Sequence, residues 1–155
     1  MNSSLELLYL IIFTGILAVC YSYLLSGQIL KASTGNEKMR EIAEAIQIGA
    51  KAYLNRQYKT IAVVGVIVLI IVSYFFSLLV GLGYLIGATL SGAAGYIGML
   101  ISVEANVRTA EASRSSLQSG LSIAFKSGAI TGLLVAGLAL LSISIYYLIL
   151  IELNV

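Results

Sequence analysis

The sequence predicts an all-α membrane protein with four transmembrane helices, and three observations carry that prediction. Apolar residues make up 59% of the 155 positions and charged residues only 10%, where soluble domains carry roughly 25% charged residues. Four runs, at about 7–25, 61–80, 84–103 and 129–151, are each close to the ~20 apolar residues that an α-helix needs to cross a bilayer. All nine Lys and Arg residues fall in two of the connecting segments. Lipid offers no partners for backbone polar groups, so the spanning runs must be helical.

The first run, 7–25, follows a flank without Lys or Arg and is longer than a signal-peptide core. It reads as a retained span rather than a cleaved leader. Cys20 within it is the only cysteine, so no intramolecular disulfide forms; it reads as a small apolar residue facing lipid or a neighbouring helix. After this span, Met39, Ile42, Ala43, Ile46, Ala50, Tyr53 and Leu54 recur at helical spacing, with Lys38, Glu41, Glu44, Lys51 and Asn55 largely off that stripe. Thr34 and Glu37 fit a capping box. Nothing from Ala50 to Ile61 breaks a helix. The second span is therefore expected to be extended at its cytoplasmic end by an amphipathic helix, packed on its neighbours rather than lying on the membrane surface.

Gly81-Leu82-Gly83 is the expected link to the third span. There Gly83, Gly87, Ser91 and Gly95 recur every four residues, and Ala88, Gly92, Ala94 and Gly98 broaden the small surface to about half of the helix. The fourth span repeats the idea with Gly128, Gly132 and Ala136. Small side chains let helix backbones approach closely in lipid. Gly83, Gly87, Ser91, Gly95, Gly128 and Gly132 are thus the candidate helix-packing residues. Four helices offer few places to bury so much small surface, which points to helices beyond these four. Between the third and fourth spans, Glu104, Arg108, Glu111 and Arg114 are spaced as a solvated, salt-laced continuation of the third helix. Ser115, Ser116, Ser119 and Gly120 are expected to form the turn.

Charge placement sets the topology. Lys31, Lys38, Arg40, Lys51, Arg56 and Lys59 lie between the first and second spans, and Arg108, Arg114 and Lys126 between the third and fourth. Basic loops stay in the cytoplasm, so both termini are expected outside. A net charge of +2 gives no nucleic-acid footprint. The chain has no Asp and no His, and no charged residue in the middle of a span. It shows no phosphate loop, dinucleotide turn, metal-ligand spacing or nucleophile–base pair. No catalytic, cofactor-binding or metal-ligating residue is assigned.

Three ordered strings carry a resemblance. They are Gly35-Asn36-x-x-Met39-x-x-Ile42-Ala43-x-Ala45-Ile46-x-x-Gly49-Ala50-x-Ala52-Tyr53-Leu54-x-Arg56-Gln57-Tyr58; Ile86-Gly87-Ala88-x-x-Ser91-Gly92-x-x-Gly95-Tyr96-x-Gly98-Met99 with Ala105-Asn106-x-Arg108-Thr109; and Ala124-Phe125-Lys126-Ser127-Gly128-Ala129-x-Thr131-Gly132. Together they closely resemble the N-terminal region of membrane-bound, proton-pumping inorganic pyrophosphatases. The resemblance implies a larger all-helical pump of the bacterial inner membrane, a homodimer that hydrolyses cytoplasmic pyrophosphate with magnesium and moves protons, or in some members sodium, outward. The family's Asp-rich catalytic motifs lie beyond the matched region and do not occur here. The reading is a truncated N-terminal segment contributing peripheral helices, with the lipid bilayer and the pump's missing helices as partners and no cofactor of its own. The alternatives are an independent four-helix oligomeric transporter and an accessory subunit of a split pump.

Overall fold

The structure, a computed structural model, describes residues 2–152 and their side chains from Leu5 onward. The outward placement expected for the tail after Glu152 lies outside the described residues. Four helices follow one another: α1 (Asn2–Leu30), α2 (Glu37–Phe75), α3 (Leu78–Ser115) and α4 (Leu117–Glu152). Each is long and apolar enough to cross a membrane. The 39 residues of α2 form one unbroken helix. At 1.5 Å per residue it extends about 58 Å, nearly twice a ~30 Å hydrocarbon core.

The start of α2 differs from the expected capping box. Gly35 sits at φ +77°, in the left-handed region that glycine adopts freely, and turns the chain after Thr34. Asn36 is then the cap: its Oδ1 accepts from the Met39 amide at 2.9 Å. Glu37 falls in the first turn, directly after that cap rather than three residues on.

Both hairpin turns are tighter than the sequence suggests. The chain leaves α2 at Phe75 and enters α3 at Leu78, so residues 78–80 belong to α3 and the Gly81-Leu82-Gly83 stretch lies inside it. Hydropathy does not place this turn because the apolar run passes straight through it. Ser77 decides the matter locally, its Oγ accepting from the Val80 amide at 3.2 Å. Gly81 serves the reversal instead of linking the spans, since a Cβ there would lie 2.0 Å from Ser73 Oγ.

The second hairpin repeats the device around one residue. Ser116 N–H donates to Ala112 O at 3.3 Å, closing α3, and Ser116 Oγ accepts from the Ser119 amide at 3.1 Å, opening α4. Gly120 follows four residues after the capping serine, as Gly81 does, and a Cβ there would meet Ser113 Oγ at 2.0 Å.

The packing order is α2, α3, α4, α1. α4 lies against both α3 and α1, α1 touches α3 slightly, and among the described residues α2 rests on α3 alone. The buried core is built from Leu25 and Ile29 of α1, Ala94 and Ala105 of α3, and Ile130 and Leu134 of α4. The second helix contributes nothing to it; its one buried residue is Leu54.

Candidate helix-packing faces and a buried arginine

Backbone meets backbone where α1 packs on α4. A Cβ on Gly15 would lie 3.1 Å from the Gly137 carbonyl oxygen and 2.9 Å from Leu141 Cγ; a Cβ on Gly137 would lie 2.9 Å from the Gly15 carbonyl oxygen. Neighbouring backbone cannot swing aside as a side chain can, so both positions demand glycine. Spacing arguments missed this pair because neither glycine belongs to a four-residue series with other glycines. The signal available was one isolated glycine in each of two spans.

The six predicted residues divide among different surroundings. Gly83 faces α4, where a Cβ would come 2.8 Å from the Tyr146 ring. The hydroxyl of that tyrosine donates to the Leu79 carbonyl, tying the C-terminal end of α4 to the start of α3. Gly87 and Ser91 line a shallow groove of about 210 Å³ between α3 and α4, and Ser91 is exposed. Gly95 turns the other way, toward α2, with the Tyr58 hydroxyl 2.7 Å from a Cβ placed there. A Cβ on Gly128 or Gly132 would meet nothing within 4 Å among the described residues. Gly98, noted only as widening the stripe, is more crowded than several of the six. Its Cβ would lie 2.8 Å from Thr131 Cγ2.

Where the basic residues cluster, the charged continuation of α3 is not wholly solvated. Arg114 pairs with Glu111 at 3.0 Å with its side chain 61% exposed. Arg108 is only 8% exposed. One terminal nitrogen donates to the Glu104 carboxylate at 2.9 Å and to the Glu104 carbonyl at 2.5 Å. The other donates to the Leu30 carbonyl at 3.2 Å. Leu30 is the last residue of α1, whose final carbonyls lack intrahelical partners and carry the negative end of the helix dipole. A guanidinium there satisfies an orphan acceptor and meets favourable charge. Its Nε is buried without a hydrogen-bond partner among the described residues. The i,i+4 pairing was legible in the sequence; the burial was not, because it depends on where α1 ends. Glu111 also lies against the start of α2, its carboxylate 2.8 Å from where a Gly35 Cβ would sit.

Residues 16–154 match the inorganic H+ pyrophosphatase family. The chain belongs to this family. Over 136 residues it is 48% identical to a K(+)-insensitive pyrophosphate-energized proton pump of Methanosarcina mazei, which covers 86% of this chain and 20% of that protein. A second pump of the same description, from Moorella thermoacetica, is 41% identical over 145 residues, with coverage of 92% and 21%. A Bacteroides thetaiotaomicron protein named for K(+)-stimulated, pyrophosphate-energized sodium pumping is 43% identical over 150 residues, with coverage of 93% and 20%. The chain thus spans about a fifth of the length of the curated relatives it matches.

Pyrophosphatases of this kind use magnesium, and the residues of this H+-pyrophosphatase segment do not fit that ion. Magnesium bridged to phosphate calls for converging carboxylates. Glu104 and Glu111, the acids nearest each other on α3, are engaged by Arg108 and Arg114. Among the described residues no three potential metal ligands gather.

Proposed function

We propose that this chain supplies peripheral helices to a pyrophosphate-energized ion pump and receives the remaining spans on the outer face of α4. The observation that carries the reading is the open side of α4, where Gly128, Gly132 and Ala136 are exposed and Cβ atoms on the two glycines would touch nothing. Small residues there, with the exposed Phe125 and Val135 beside them, suit a closely approaching helix better than lipid. The outward face of α2 is the opposite: Val63, Ile67, Ile70 and Tyr74 stand 64, 53, 63 and 83% exposed, a bulky apolar surface suited to acyl chains.

In the intact pump, hydrolysis of magnesium pyrophosphate and ion movement would fall to carboxylates on the spans outside this segment, and the assembly would be a homodimer. Relatives named for proton and for sodium pumping both align over this region, at 48 and 43% identity, which supports a coupling ion set by residues outside it. Both basic loops face the cytoplasm in this reading, and the pump sits in the bacterial inner membrane. The test is magnesium-dependent phosphate release, with dye-reported acidification, in liposomes holding only this chain. Rates equal to those of protein-free liposomes are expected. Turnover above that control overturns the reading.

A further inference from the structure

Between α2 and α3 runs an apolar groove of about 720 Å³, walled by Gly65 and Leu69 on one side and Ala88 and Gly92 on the other, with Tyr58 and Tyr84 toward its two ends. We propose that it holds an acyl chain of an anionic phospholipid whose phosphate is met by Arg56 and Lys59. Three observations support that occupant. On α2 the groove extends from Tyr58 to Leu69, about 16 Å of helix, which is the depth of one leaflet of a ~30 Å core. A transmembrane helix seated there would need a groove running the full depth.

The second observation is charge. Arg56, Thr60 and Val64 follow at four-residue intervals, and the latter two line the groove. Lys59 stands three residues before Ala62 and seven before Val66, both of which line it as well. Each cation is therefore one turn beyond a wall residue, at the mouth, where a long side chain keeps its head at the interface. Both are exposed, and neither enters an ion pair among the described residues. No acidic residue occurs between Glu44 and Glu104 to compete for them. The third observation is position. Among the described residues the second helix touches α3 alone, and its most apolar stretch has no buried residue, so the groove opens sideways.

This inference rests on α2 crossing a bilayer and not on the pump reading. The test uses the chain in nanodiscs with phosphatidylglycerol or phosphatidylcholine probes carrying a photoreactive group on the acyl chain. Labelled residues are mapped by mass spectrometry, and circular dichroism verifies each variant's helicity. Phosphatidylglycerol is expected to label the groove walls roughly tenfold more than phosphatidylcholine. R56Q/K59Q should bring that ratio near one, while K31Q/K38Q, with the same loss of charge, should leave it unchanged. Gly92→Leu, which fills the groove, should abolish labelling by both probes. Equal labelling by the two lipids, equal loss in both charge variants, or undiminished labelling in Gly92→Leu overturns the site. Oxidative dimerisation of Gly92→Cys in a Cys20→Ala background assigns the groove to a second copy instead. Loss of labelling in the full-length M. mazei relative assigns it to another helix of the pump. Neither result depends on hydrolysis, so the site and the pump reading fail separately.

Discussion

Where α1 meets α4, backbone lies on backbone at Gly15 and Gly137. Where α2 meets α3, tyrosine rings hold the helices apart: Tyr58 and Tyr96 stand edge to face with centroids 5.1 Å apart, and the Tyr96 hydroxyl donates to Asn55 Oδ1 at 3.0 Å. The first seam is continuous with the buried core; the second encloses a groove. Yet α3 is far richer in glycine than α1. Small residues license a close approach without causing one, and what the partner presents decides how near the backbones come. Gly92 and Gly95 receive a tyrosine, so their missing side chains make room for a ring rather than for a helix.

The most severe way to break this contrast is Gly137→Leu. The new side chain enters space bounded by the Gly15 carbonyl and the Val19 and Ala18 side chains, two of them within 3.0 Å of a bare Cβ. Overpacking commonly costs 1–3 kcal/mol, and immovable backbone places this case at about 3 kcal/mol or more. Denaturant titration of helicity in detergent should show it. By contrast Gly92→Ala, whose Cβ would sit 3.8 Å from Tyr58, should be nearly silent. Equal losses at the two sites would mean that the seams are equally tight.

Arg108→Met comes next. The arginine is the polar tie between the end of α1 and α3, and methionine preserves much of its apolar bulk while leaving Leu30 O without that donor. Hydrogen bonds to charged groups contribute about 1.5–3 kcal/mol, so a loss of about 2 kcal/mol is expected. The same titration measures it, and hydrogen exchange should rise in the last turn of α1 while the α2–α3 seam stays as protected as before. Unchanged stability would mean that the guanidinium is held by Glu104 alone and adds nothing to α1.

Much of the architecture was legible in the sequence because the bilayer enforces it. Helical state, the four long apolar segments and the family all follow from residues read in order. What escaped were features set by two distant segments at once. The Ser77 turn hides inside a run that is apolar on both sides. Burial of Arg108 depends on Leu30 ending a helix 78 positions earlier. The six small residues were recognisable as a class, but only their partners separate Gly83, pressed on a Tyr146 ring, from Gly132, facing nothing.

The smallest expected effect sharpens the comparison most. Gly128→Leu adds a large side chain where no atom lies within 4 Å, so the isolated chain has nothing to clash with. Leucine also favours helix over glycine by up to ~1 kcal/mol. The variant should therefore match or slightly exceed the parent in stability, within about 0.5 kcal/mol, although it alters a glycine of the same spacing class as Gly95. In the full-length M. mazei relative, leucine at the aligned position would face the remaining spans. If α4 receives a helix there, the yield of assembled pump should fall while the isolated segment is untouched. A loss of stability in the isolated chain comparable to that of Gly137→Leu would mean that copies of this segment already pack through α4, and size-exclusion chromatography of parent and variant would show the oligomer dissociating. An unchanged yield in the full-length protein would leave the small face of α4 against lipid, and the spans it was proposed to receive would have to attach through α1 or α3.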